Sequence, residues 1–206
     1  MIRSDPGTLI AFEGIDGAGK TTQQAFLADH LKAKGIPCVC SKEPTDGNWG
    51  RQIRRSAQDG RLSLPEELRI LTEDRREHVR ERIMPALISG QTVILDRYFY
   101  STIAYQGSQG GDVSALANAM TTEFPIPDIV FLVDVPVEVG LARISQGRRE
   151  VPNHFEKLES LAAAREIFLK TAAHHPNIVT VDGTKSVEEV RRNILQILDE
   201  RWPFKL

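Results

Sequence analysis

Gly14-Ile15-Asp16-Gly17-Ala18-Gly19-Lys20-Thr21 sets glycines, a lysine and a hydroxyl at the spacing G-x-x-x-x-G-K-[ST]. The chemistry served by that spacing is the cradling of a nucleoside triphosphate such as ATP. Gly14, Gly17 and Gly19, with Ala18 between the last two, let backbone N–H groups turn inward around phosphate oxygens. The helix expected to follow adds the partial positive charge of its N-terminus. Lys20 reaches the β and γ phosphates, the Thr21 hydroxyl suits Mg²⁺, and Thr22 completes the phosphate-binding set. GTPases, ATPases and kinases all use such a loop, so it indicates the ligand and not the reaction. Asp16 narrows the choice. A carboxylate inside the loop repels triphosphate, and it is tolerable if it turns toward a second substrate.

A second constellation lies at Thr92-Val93-Ile94-Leu95-Asp96-Arg97-Tyr98, an apolar run that ends in an acid and a base. Ligands of open α/β sheets bind beyond the carboxyl ends of the strands. Asp96 is expected to hold Mg²⁺ through water or to organise polar groups around it, and Arg97 to contact phosphate. Ser101, Thr102, Tyr105 and Gln106 then offer hydroxyls, a ring and an amide, which suit a nucleoside pocket. A hydroxyl here suits a helix cap equally well.

Positioning these groups requires alternating short strands and helices. Strands are expected at Thr8–Glu13, Ile36–Ser41, Thr92–Leu95, Ile129–Val133 and Asn177–Val181. Helices are expected at Lys20–Lys34, around Arg51–Gln58, from Pro65, at Val137–Arg143, at Glu156–Ala172 and at Val187–Leu198. Glu43–Gly50 reads as a loop, and Pro85 as a kink or break in the pattern running to Leu87. Helices between β-branched runs imply an α/β fold in which a parallel sheet is covered on both faces.

The composition is that of an ordinary soluble chain, with 206 residues, 41% hydrophobic, 26% charged and a net charge of -2. That balance argues against a partner in polymeric nucleic acid, and no segment has the roughly 18 apolar residues of a membrane span. A cytoplasmic protein of one domain, residues 1–206, is the expectation. Cys38 and Cys40 face the same way on a strand, are poorly placed to bridge, and are expected to be small buried side chains. No N-K-x-D guanine-reading motif is present.

The runs Phe12 to Thr22, Glu43-Pro44, Asp74-Arg75, Asp96-Arg97-Tyr98 through Ser101, Ala104-Tyr105-Gln106-Gly107, Val133-Asp134 and Phe155-Glu156 together resemble the thymidylate kinase family over nearly the whole chain. The resemblance implies a P-loop nucleoside-monophosphate-kinase fold with a five-stranded parallel sheet, and a homodimer. It implies transfer of the γ-phosphoryl of MgATP to dTMP, with Mg²⁺ as cofactor. By the same resemblance Asp16 lies near the acceptor's sugar and phosphate, and Glu43 also belongs to the acceptor-binding set. Arg54 and Arg97 hold phosphate, Arg75 meets the thymine edge, Tyr105 packs near the sugar's 2′ carbon, and Thr102 and Gln106 lie beside base or sugar. Asp182-Gly183-Thr184-Lys185 resembles the loop under the adenine, though a plain β-to-α turn would read alike. The variable positions of the phosphate loop hold no Lys or Arg. In family terms the missing charge comes from a short lid over residues 143–154, with Arg143, Arg148 and Arg149 as candidates and Arg148 slightly preferred, though a solvated loop would read alike.

Several positions depart from the family pattern. Leu71 stands where a phenylalanine usually stacks on thymine; leucine covers a base with apolar surface but supplies no ring-on-ring contact. Glu73 replaces a small residue, Lys42 an arginine, and Glu43-Pro44-Thr45-Asp46-Gly47 lacks a double glycine. Two alternatives stay open: a kinase for another nucleoside monophosphate or a nucleoside, and a non-catalytic ATP-binding module.

Overall fold

The structure, a computed structural model, describes residues 7–60, 62–147 and 154–201. Five strands form one sheet: β1 (Leu9–Glu13), β2 (Cys38–Lys42), β3 (Thr92–Asp96), β4 (Ile129–Asp134) and β5 (Ile178–Asp182). Their order is β2-β3-β1-β4-β5, and every pairing is parallel. This is the three-layer α/β fold expected from the sequence. β1 is central and buried throughout, so Leu9-Ile10-Ala11-Phe12 reads as a continuous apolar run rather than an alternating one. Phe12 stacks on Phe131 of the neighbouring strand at 5.4 Å between ring centres.

The helices are α1 (Lys20–Ala33), α2 (Asn48–Asp59), α3 (Leu64–His78), α4 (Met84–Ile88), α5 (Phe99–Ser108), α6 (Val113–Glu123), α7 (Val137–Gly147), α8 (His154–His174) and α9 (Val187–Arg201). The pairs α1–α9 and α5–α8 pack together and flank the sheet. Gln24 of α1 donates from Nε2 to the carbonyls of Ser41 and Ile94, both at 2.7 Å, and so ties the helix to β2 and β3.

Several local expectations need correction. α2 begins at Asn48, inside the segment expected to be a loop. The division expected at Pro85 is present, however: a π-helical turn at Val79–Ile83 separates α3 from α4, and Pro85 falls in the first turn of α4. α7 runs on to Gly147, past the expected end at Arg143. α6 was not expected. Its signal is Asp112, whose Oδ1 accepts from the N–H groups of Ser114 and Ala115 at 2.9 and 3.0 Å, an N-cap arrangement. Cys38 is half-buried and Cys40 exposed, because β2 is an edge strand; both are free thiols. No helix among the described residues is long and apolar enough to cross a membrane.

Candidate active site

The phosphate loop leaves β1 at Gly14 and enters α1 at Lys20, with Gly19 left-handed at φ 103° as the N-cap. Gly17 has φ 79°, and a Cβ there would lie 2.2 Å from the carbonyl oxygen of Gly140 in α7. Only glycine meets both demands, since a left-handed L-residue costs about 1–2 kcal/mol before any clash. Gly17→Ala is therefore expected to weaken ATP binding at least about tenfold, the equivalent of that cost. Isothermal calorimetry with ATP reads the change, and unaltered affinity would mean the loop can move off α7.

Asp16, Gly17, Ala18, Gly19, Lys20, Thr21 and Thr22 line a cavity of about 460 Å³, together with Asp96, Arg97, Arg143, Gly183 and Lys185. Lys20 is buried and donates from Nζ to the Ile15 carbonyl at 2.9 Å. Burial, then the nearby positive charge of Arg97, pulls its ammonium down to about 7, against the pull of Asp96, Asp16 and Glu13. The Thr21 hydroxyl donates to Asp96 Oδ2, so the two residues chosen for Mg²⁺ are in direct contact. These are hard oxygen donors suited to that ion. Among the described residues no group of three or more His, Cys, Asp or Glu is arranged to hold a metal; an ion carried largely by triphosphate oxygens needs no such group.

A second cavity, of about 310 Å³, is lined by Asp16, Glu43, Leu71, Arg75, Arg97, Tyr98, Ser101, Thr102, Tyr105 and Gln106, among others. It meets the first at Asp16 and Arg97. Arg97 sits at φ 70°, the one non-glycine with positive φ among the described residues. Its guanidinium donates from Nη2 to Asp16 Oδ1 at 2.6 Å and to the Tyr105 hydroxyl at 3.4 Å. From Nη1 it donates to Ser101 Oγ at 3.1 Å and to the Gly14 carbonyl at 3.3 Å. Burial opposes its charge, but Tyr105, Asp16 and Glu13 outweigh burial, and its pKa is raised. The Tyr105 ring lies 5.2 Å from the guanidinium carbon and is braced edge-on by Phe168. Burial also raises the Tyr105 pKa, so the phenol stays neutral.

At the far end of this cavity Arg75 is buried. It donates from Nε to Glu43 Oε2 at 2.8 Å and from Nη2 to Thr102 Oγ1 at 2.9 Å. His78 Nδ1 lies 2.9 Å from the other Glu43 oxygen, and its Nε2 lies 2.7 Å from Ser41 Oγ. The loop after β2 is fastened to α3 by Asp74, which accepts from the Thr45 N–H at 2.7 Å and the Thr45 hydroxyl at 2.6 Å. Glu43 and Pro44 are joined by a cis peptide bond.

Not every expected residue converges. Arg54 does not line the second cavity; it is partly exposed and donates to the carbonyls of Pro44 and Thr45 and to the Asp46 carboxylate. Arg143 belongs to α7, where it bridges the Ala18 and Gly183 carbonyls at 3.4 and 2.9 Å. Arg148 and Arg149 lie outside the described residues. Gly183 and Lys185 line the first cavity, whereas Asp182 and Thr184 close a turn on each other. Sequence reasoning missed Glu13, which is buried beneath the loop and bonded to Tyr98 and Ser101. Burial pushes its carboxyl up to about 7 although Ser101, Arg97 and the Tyr98 N–H all favour the charge. A carboxylate closing an otherwise apolar strand was the available signal.

A phosphate cradle at the carboxyl ends of a parallel sheet, sharing a wall with a second cavity, defines a nucleotide-binding phosphotransferase class. The thymidylate kinase family model matches residues 12–194. Similar proteins named thymidylate kinase include one from Xylella fastidiosa (strain M12), 49% identical over 186 residues, 89% of this chain and 83% of that protein. One from Xanthomonas campestris pv. campestris (strain B100) is 49% identical over 187 residues, 90% of this chain and 80% of its own. One from Akkermansia muciniphila is 44% identical over 197 residues, 96% of this chain and 94% of its own. The chain belongs to the thymidylate kinase family.

Proposed function

We infer that the protein transfers the γ-phosphoryl group of MgATP to the phosphate of dTMP, giving dTDP and ADP. The observation that carries this reading is the wall shared by the two cavities, formed by Asp16 and Arg97. In that reading the first cavity takes the triphosphate, with Lys20 and the loop N–H groups around its β and γ phosphates. Thr21 and Asp96 hold Mg²⁺, which supplies charge neutralisation when bound. The second cavity takes the acceptor, with Arg97 toward its phosphate, Tyr105 toward its sugar, and Arg75, Thr102, Gln106 and Leu71 around its base. An oxygen of the acceptor phosphate attacks the γ phosphorus and the bond to the β-phosphate oxygen breaks. The attacking phosphate is already ionised, so alignment and charge neutralisation suffice without a strong general base. A homodimer is part of the same reading.

The decisive experiment offers MgATP with each of dTMP, dUMP, dCMP, dGMP and dAMP and quantifies ADP and every nucleoside diphosphate. Preferred, equimolar formation of dTDP and ADP is expected, with Leu71 covering the base in place of a ring. Preference for another acceptor would retain the mechanism and move the substrate. ADP without any diphosphate, or no turnover, would overturn the kinase reading.

A further inference from the structure

Arg97 occupies a left-handed backbone conformation that a non-glycine residue adopts only at a cost, so something must hold it there. Two consecutive residues of the central strand do so. The Phe12 carbonyl accepts the Arg97 N–H at 2.9 Å, and the Glu13 carboxylate accepts the Tyr98 N–H at 2.8 Å through Oε1. The same oxygen accepts the Ser101 N–H at 3.2 Å, and Oε2 accepts the Ser101 hydroxyl at 2.6 Å. Ser101 Oγ in turn accepts from Arg97 Nη1 at 3.1 Å. While Glu13 is ionised, polarity runs one way, from guanidinium to hydroxyl to carboxylate, because an ionised carboxylate only accepts. Glu13 is 1% exposed and lines neither cavity. A buried carboxylate with that set of partners is expensive for packing alone, since an apolar side chain would fill the space without desolvating a charge.

We propose that Glu13 is a positioning residue for the acceptor side, pinning the left-handed Arg97 turn and, through Ser101, aiming the Arg97 guanidinium at the wall between the cavities. The proposal rests on the phosphotransfer reading. Glu13→Gln is the informative change, because glutamine keeps the shape and one accepting oxygen. The NH2 group that takes the place of Oε2 cannot accept the Ser101 hydroxyl and would reverse that bond.

The experiment measures kcat, the KM for dTMP and the KM for ATP in wild type, Glu13→Gln, Ser101→Ala and the double variant, with thermal melts of each. Losing a charge-assisted hydrogen bond in the relay predicts a dTMP KM raised about tenfold to a hundredfold in Glu13→Gln, with the ATP KM within about twofold. The double variant is expected to be no worse than Glu13→Gln, because both changes cut one chain. Equal rises in both KM values, an unchanged dTMP KM, or full additivity would overturn the positioning role. Should Glu13→Gln fail to fold, Ser101→Ala decides: its dTMP KM rises about tenfold or the relay is refuted. Wild-type protein that phosphorylates no dTMP overturns the functional reading itself, a result distinct from any change among the variants.

Discussion

Arg97→Ala lowers kcat/KM for dTMP about a thousandfold, the upper end of what removing one preorganised donor of transition-state charge costs. The side chain holds the position from which a cation can face both substrates, since it borders both cavities. Its contacts with Asp16, Ser101, Tyr105 and the Gly14 carbonyl fix it there before either substrate arrives. The ATP side should be spared. Arg97 is one of the two influences that depress Lys20, after burial, so its removal lets Lys20 hold its proton more firmly near pH 7. An ATP KM within about threefold of wild type is therefore expected, a change of well under 1 kcal/mol. Arg97→Lys should recover little, because an ammonium lacks the planar fork that reaches several oxygens at once. Steady-state kinetics with each substrate varied in turn reads the outcome; loss of ATP affinity in parallel with dTMP would show that Arg97 builds the phosphate loop rather than the acceptor side.

The second large effect is on stability. Glu43 and Arg75 form an ion pair at 2.8 Å with side chains only 5% and 2% exposed. Glu43→Ala leaves a buried guanidinium without its carboxylate and His78 without its Nδ1 partner. Breaking such a pair costs about 3–5 kcal/mol, and for a chain of this size that lowers Tm by about 10 °C. Removing both charges together, as in Glu43→Leu/Arg75→Met, is expected to recover much of the stability, because hydrophobic replacements of buried pairs are commonly neutral or better. It should not recover acceptor binding, since Arg75 borders the second cavity. Thermal unfolding of the single and double variants checks the first part and dTMP titration the second. A melt unchanged in Glu43→Ala would mean that water reaches the pair.

The phosphate loop was legible because glycine spacing, Lys20 and Thr21 answer to a local backbone requirement, and the flanking strand and helix follow from it. β3 with Asp96 and Arg97 was legible for a similar reason, an apolar run ending abruptly in charge. What escaped depends on contacts distant in sequence. Glu13 meets Ser101 across 88 residues, and nothing in its immediate neighbours announces that partner. The bonding of Arg54 to the carbonyls of the loop after β2 escaped as well, a geometry composed only when α2 folds against that loop. α5 and α6 carry mixed apolar and small residues on both sides of glycines, so periodicity gave them no outline; the cap at Asp112 was the clearer mark.

The placement of β1 beside β3 has a consequence for how such a chain can diversify. The phosphate loop rises from one strand and the Arg97 turn from its neighbour, with Phe12 in register with Asp96. Neighbouring strands lie about 4.8 Å apart wherever peptide groups pair, whatever their side chains. The separation between donor and acceptor anchors is thus a ruler written in backbone, indifferent to substitutions along the base pocket. In the proposed reading Leu71, which lines the second cavity, is free to change and retune which base is accepted, while the distance the phosphoryl group travels stays the same.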